Sequence, residues 1–403
     1  MENQPLLHSK EKGLALHNVV LLMGILFVSF NLRPAITAVG PLVGSIRVDV
    51  GISNGLAGLL TTIPLIAFAL LSFFAPKLGY RFGNELMVFF GLLTLLVGII
   101  IRSMGLSMTV FTGTALVGIG IAISNVLLPS IVKSKFPSQI GLMTGLYTTS
   151  MCVFAAIGSG LSVPLAHGLH LGWQKSLAVW AFLTVVAVLM WIPQLKNASP
   201  ITSSYMRNIK IKSTTIWRSK LAWQVTIFMG LQSFLFYSLI AWLPEILSNS
   251  GLSMSEAGWM VSIMQLAGLP MALLTPIYAD RFSNQKGIVW LIGVFYLIGI
   301  IGITITDSVL VLTCSVVLIG LGQGASISLA LTLIGLRSAH SKQAAELSGM
   351  SQSIGYSLAA IGPLTIGMLL DVTKTPSVTF VIFVFIIVIM VIAGLGAGKN
   401  KTV

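Results

Sequence analysis

Acidic residues are scarce in this chain. Of its 403 residues only 10 are Asp or Glu, and charges of both signs make up 8%, against about 25% in soluble domains. A water-soluble fold is excluded, because even a large domain keeps a broad surface that must face water. Cysteine is nearly missing too. Cys152 and Cys314 each lie inside an apolar run, so no disulfide or metal framework is available and both read as small packing residues. The five histidines (His8, His17, His167, His170, His340) fall in tails, loops or helix ends. No His, Asp and Ser gather at one depth. Neither an enzyme nor a cofactor is therefore expected. Gly118-x-Gly120 and Gly320-x-Gly322 sit within apolar runs rather than after a strand, so they predict close helix contact, not a dinucleotide loop.

What the chain has in abundance is hydrocarbon. Hydrophobic residues make up 56% and the mean hydropathy is +0.98. Apolar runs of about 20 residues recur, the length that crosses about 30 Å of bilayer as helix. Backbone groups in lipid must be satisfied within their own segment, and the runs do not alternate as barrel strands would. The expectation is an all-α membrane protein with twelve spans: 18–46, 54–76, 86–102, 108–132, 138–166, 173–194, 221–247, 254–279, 287–305, 309–336, 344–370 and 378–396. The first run is too long for a cleavable leader, contains Arg33 and is followed by more spans.

The net charge of +13 reads as a topology signal, not as a nucleic-acid footprint. Eighteen Lys and Arg lie on the side of the N-terminus, six of them in the connection 195–220, and four on the other: Arg47, Arg102, Lys175 and Lys374. This bias places both termini and the central loop in the cytoplasm of a bacterial plasma membrane.

The chain also repeats itself. Pro76, Arg81, Phe82 and Asn84 recur as Pro276, Arg281, Phe282 and Asn284. Gly118-Ile119-Gly120 recurs as Gly320-Leu321-Gly322. Gly145 and Ala155-Ala156-Ile157-Gly158 recur as Gly349 and Ala359-Ala360-Ile361-Gly362. Three matches in one register predict two six-helix halves, 1–194 and 221–403, joined by a cytoplasmic linker over 195–220.

Arg33 is the strongest single site signal. About 18 Å of helix separates it from Leu21, near mid-membrane, where a guanidinium is costly unless paired or wet. No carboxylate in its span can reach it. Its planar fork of donors suits an anion or a strongly polar solute; the alternative is an Arg tied to helix carbonyls. Asn31 adds a donor and an acceptor nearby, and Pro34 and Pro41 free the carbonyls of Phe30 and Thr37. Interrupted helices at mid-depth mark transporter sites. Other mid-depth polar groups are Asn125, Tyr147, Gln232, Tyr237, Gln265, Gln323, Gln352 and Tyr356, and Trp242 and Tyr237 would pack or stack against a solute. They could ring a cavity or simply bond helix to helix. No Asp or Glu lies at mid-depth, so no proton site is named and a coupling ion or proton stays open. Glu245 is a weak candidate near the end of span seven.

Two six-helix halves, a basic central loop and Pro276-x-x-Ala279-Asp280-Arg281-Phe282 resemble the major facilitator superfamily. The first half keeps Arg81-x-Gly83 but has Tyr80 where that loop motif carries Asp. Within the superfamily, Asn31-Leu32-Arg33-Pro34-Ala35, Asn125-Val126-Leu127-Leu128-Pro129 and Gly230-Leu231-Gln232-Ser233 are similar to the cyanate/2-nitroimidazole transporter branch. The resemblance implies alternating access around a cavity lined by spans one, four, seven and ten. Arg33, Asn31, Asn125, Gln232 and Gln323 would face it, and Arg81, Asp280 and Arg281 would act in gating loops. It also implies a monomer. The reading is a secondary transporter of a small polar or anionic solute. Two rivals stand beside it: an exporter of amphipathic drugs, and a non-transporting membrane sensor or scaffold.

Overall fold

A computed structural model describes residues 19–52, 54–195, 216–249, 251–306, 308–373 and 377–403. Most of the expected linker, 196–215, lies outside the described residues, as do the Glu245 side chain and Lys374.

The described residues fold into helices joined by tight turns. The first expected span is interrupted: α1 covers 19–31, α2 Pro34–Thr37, a 3-10 turn Gly40–Leu42 follows, and α3 is Val43–Val50. The first half continues with α4 (Asn54–Phe82), α5 (Asn84–Arg102), α6 (Ser107–Lys135), α7 (Ile140–Val163) and α8 (Gly172–Leu195). The second half holds α9 (Lys220–Asn249), α10 (Met254–Arg281), α11 (Lys286–Ile305), α12 (Val309–Leu336), α13 (Ser341–Thr373) and α14 (Ser377–Ala397). Among the described residues eleven spans are long and apolar enough to cross a bilayer; α13, longer but studded with Ser, Gln and Tyr, completes the expected twelve.

The sheath of the bundle is apolar. Phe182 is 75% exposed and Phe385 65%, which is tolerable only where the solvent is hydrocarbon. Buried between helices are small residues that permit close approach. A methyl on Gly120 would lie 2.4 Å from the Gly91 carbonyl oxygen, drawing α5 onto α6; one on Gly324 would lie 2.0 Å from that of Gly268, drawing α10 onto α12.

Some boundaries differ from the sequence expectation. The segment after span two, expected as a loop, continues α4 as far as Phe82, and α10 likewise runs through Arg281. Apolar runs report where lipid ends, whereas helices continue until something stops them. Gly83 does so after α4 with φ +95°, a conformation that glycine adopts without strain.

One end of the bundle carries Lys77, Arg81, Lys133, Lys135, Arg281, Lys286, Arg337 and Lys342. At this basic end the halves are clamped along two seams, α4 against α13 and α7 against α10. The seams use the repeat. A methyl on Gly145 would lie 2.8 Å from the Leu273 carbonyl oxygen, and one on Gly349 2.6 Å from that of Ser72. The Asp280 carboxylate accepts from the Gly141 backbone N–H at 3.0 Å. Its counterpart in the first half, Tyr80, instead offers its ring to the Lys342 ammonium, 4.5 Å from the centroid.

Candidate solute site

The interruption of span one builds the site. Proline at 34 and 41 removes two backbone donors, and the chain tightens around them into i+3 bonds, Val39 N–H to the Ile36 carbonyl and Leu42 N–H to that of Val39. The tightening also leaves the carbonyls of Ala35 and Ala38 to side chains: Arg102 Nη1 donates to Ala35 at 2.6 Å and Ser162 Oγ to Ala38 at 3.0 Å. The Thr37 hydroxyl donates to the Ala155 carbonyl at 2.9 Å, and Pro34 packs on Gly158.

Arg33 caps α2 with non-helical backbone, φ −126° and ψ −45°. Its side chain is half-buried. Among the described residues no carboxylate pairs with it. The Phe236 ring, from the other half, lies 5.5 Å from its Cζ, and the Tyr237 side chain is close enough to act on its charge. Phe30, three residues before Arg33, stacks on Phe154 of α7, the rings 4.2 Å apart and 17° from parallel. Phe30, Arg33, Phe154, Phe236 and Tyr237, a mixed cationic and aromatic wall, are all half-buried.

Toward the basic end the wall is backed by a buried polar bridge between the halves. Asn125 Nδ2 donates to Gln352 Oε1 at 2.7 Å and to the Tyr356 hydroxyl at 3.2 Å. Gln352 Nε2 returns a bond to the Asn125 carbonyl at 3.2 Å and another to Ser348 Oγ at 2.8 Å. Asn125 Oδ1 has no protein partner, nor have Gln232 Oε1 and Gln323 Nε2.

The remaining expected site residues lie apart from this wall. Asn31 is turned to α8, where its Oδ1 accepts from Thr184 at 2.7 Å and its Nδ2 donates to the Phe27 carbonyl at 2.8 Å. Residues two apart on a helix point to different faces, so sequence proximity to Arg33 misleads. Trp242 ties α9 to α13 through the Pro363 carbonyl, 2.7 Å from its Nε1. Gln232 and Gln323 are buried within the second half, and Tyr147 within α7. Arg81 is exposed, its Cζ 5.2 Å from the Phe82 ring, and Arg281 is exposed as well. Sequence reasoning missed Phe30, Phe154 and Phe236 as partners of the site, since aromatics in apolar runs look like core. Two cavities of about 390 and 300 Å³ lie at the basic end, and neither is lined by Arg33.

Residues 23–363 match the Major Facilitator Superfamily. The chain belongs to that family. It is 52% identical over 383 residues to an uncharacterized transporter, YycB, of Bacillus subtilis, covering 95% of this chain and 94% of that one. It is 38% identical to the 2-nitroimidazole transporter of Escherichia coli, with 96% and 97% covered, and 28% identical to that organism's cyanate transport protein CynX, with 88% and 90% covered. It falls in this branch of the superfamily. The fold matches the proton:xylose symporter XylE with a TM-score of 0.76 at 11% identity, over 95% and 97% of the two chains. This superfamily member is a multi-pass membrane transporter.

Proposed function

We propose that the protein moves a small, flat, polar or anionic solute across the bacterial plasma membrane by alternating access, with Arg33 as its binding group. The observation that carries this is a half-buried guanidinium without a carboxylate among the described residues, flanked by a ring and a phenol from the other half. A guanidinium presents parallel donors to a nitro, carboxylate or cyanate group. The stacked Phe30 and Phe154, with Phe236, offer faces to a planar ring. Relatives that transport 2-nitroimidazole and cyanate support this solute class.

The two six-helix halves are the rocking units, with the basic end in the cytoplasm, as the Lys and Arg bias favours. Closure there leaves the Arg33 wall to be reached from the opposite side. Asn125, Gln352 and Tyr356 form the floor, and Tyr237 contacts the solute. The protein works as a monomer, and its transport cycle needs no carboxylate at mid-depth.

The test uses purified protein in nanodiscs with 2-nitroimidazole and potassium cyanate as probes. A ligand that binds the folded state raises the melting temperature. At least one probe is expected to do so in the wild type and to lose the effect in Arg33→Gln. A shift that persists in Arg33→Gln removes Arg33 from the site.

A further inference from the structure

Arg102, like Arg337, is a guanidinium buried among the described residues, and the solute site described above does not use it. It ends α5, 1% exposed. Among the described residues no carboxylate pairs with it, and its Nε and Nη2 have no partner. Its one hydrogen bond runs from Nη1 to the Ala35 carbonyl, at 2.6 Å. A cation is not buried in this way without consequence. The acceptor it has chosen is telling. Ala35 belongs to α2, the four-residue segment that begins immediately after Arg33, and its carbonyl is one that the interruption leaves without a backbone donor.

The base of this tether is rigid. A methyl on Gly113 would lie 2.4 Å from the Arg102 backbone nitrogen, and one on Gly98 2.7 Å from that of Val117. The end of α5 is thereby pressed onto α6, and the Arg102 side chain reaches α2 from a fixed point. On the other flank Ser162, Thr37 and Gly158 bind the same segment to α7.

We infer that Arg102 is a positioning residue for transport: its charge-assisted bond to the Ala35 carbonyl fixes the interrupted segment of span one and so aims Arg33 at Phe236 and Tyr237. The inference rests on Arg33 as the solute-binding group. A neutral donor would satisfy the carbonyl more weakly, and an apolar side chain would leave it bare in an apolar interior. Small displacements of a binding group cost large factors in rate and affinity.

The experiment compares wild type, Arg102→Met and Arg102→Lys as full chains in nanodiscs. Backbone hydrogen exchange is read over residues 34–42, with 286–305 as the internal control. Binding of 2-nitroimidazole and cyanate is titrated alongside, and uptake is split into KM and kcat. Exchange over 34–42 is expected to quicken about tenfold or more in Arg102→Met, less in Arg102→Lys, and not at all over 286–305. Affinity for a bound probe is expected to fall about tenfold in Arg102→Met, chiefly in KM, and to recover in part in Arg102→Lys. Added to Arg33→Gln, Arg102→Met is expected to cost little more. Unchanged exchange over 34–42 overturns the tether, as does an affinity loss fully additive with that of Arg33→Gln. If Arg102→Met fails to fold, Arg102→Lys decides by the same exchange reading. Should Arg33→Gln bind both probes normally while exchange still responds to Arg102, the fault lies with Arg33 as binding group and the tether stands.

Discussion

The Arg33 guanidinium lies 5.5 Å from the centre of the Phe236 ring, which belongs to the other half of the molecule. A cation over a ring at a partly open site contributes about 0.5–1 kcal/mol, or roughly two- to fivefold in affinity. Phe236→Leu is therefore expected to raise KM by that factor while Phe236→Trp preserves it. Initial uptake rates into proteoliposomes, measured against 2-nitroimidazole and cyanate concentration, check the order. Equal KM values for Phe and Leu would show that the ring is only packing.

The seams at the basic end make a prediction of state rather than affinity. A methyl at position 349 would sit 2.5 Å from Pro76 Cγ and 2.6 Å from the Ser72 carbonyl oxygen, whereas one at Gly160 meets nothing within 4 Å. Overpacking of this kind costs about 1–3 kcal/mol. Gly349→Ala is expected to shift the population away from closure at the basic end, and Gly160→Ala to leave it alone. Spin labels at the exposed Ser138 and Ser283, one in each half, report this as a longer mean distance in Gly349→Ala. An unchanged distance distribution would mean that the seam yields elsewhere.

Much of this fold could be read in advance because lipid imposes harsh conditions on a chain. Apolar runs must be helices of a set length, and the offset between Gly145 and Gly349 already indicated which positions were equivalent. Arg33 stood out for the same reason. Arg102 did not. At the end of an apolar run it resembles an ordinary charge in a loop, and only the fold shows it turned inward to a carbonyl. Prolines announced that span one would break, but that the carbonyls of Ala35 and Ala38 would also be freed, and who would serve them, depended on how the chain tightened and on helices far away in sequence. Asn31 illustrates the opposite hazard: two residues from Arg33 in sequence, it belongs to the contact with α8.

Asn125 and Gln352 exchange two hydrogen bonds across the halves, at 2.7 and 3.2 Å, in a buried setting. Truncating Asn125 strands Gln352 Oε1, and truncating Gln352 leaves Asn125 Nδ2 with Tyr356 alone and bares the Asn125 backbone carbonyl, each at about 1–3 kcal/mol; the side-chain bond between them is lost only once when both are truncated. Asn125→Ala and Gln352→Ala are expected to lower the melting temperature singly by amounts whose sum exceeds the loss in the double variant. Melting curves of all four proteins in nanodiscs measure this. Simple additivity would indicate that the two amides act independently.

Tyr80 and Asp280 hold equivalent places in the repeat but close the basic end by different chemistry. Asp280 accepts from the backbone N–H that opens α7; Tyr80 faces the Lys342 ammonium near the start of α13 and shares a cavity with Lys77. A carboxylate at position 80 would meet the same ammonium as a surface ion pair, about 0–1 kcal/mol, close to what the ring gives. Tyr80→Asp is therefore expected to leave closure and uptake near wild type. A third cation there would be repelled by both lysines, and the repulsion would be screened by salt. Tyr80→Lys is expected to lengthen the distance between labels at Ser138 and Ser283 at low ionic strength, and to recover toward wild type as salt is raised. If Tyr80→Lys remained closed at every salt concentration, the ring would contribute bulk and not charge recognition, and closure at this seam would rest on Gly349 alone.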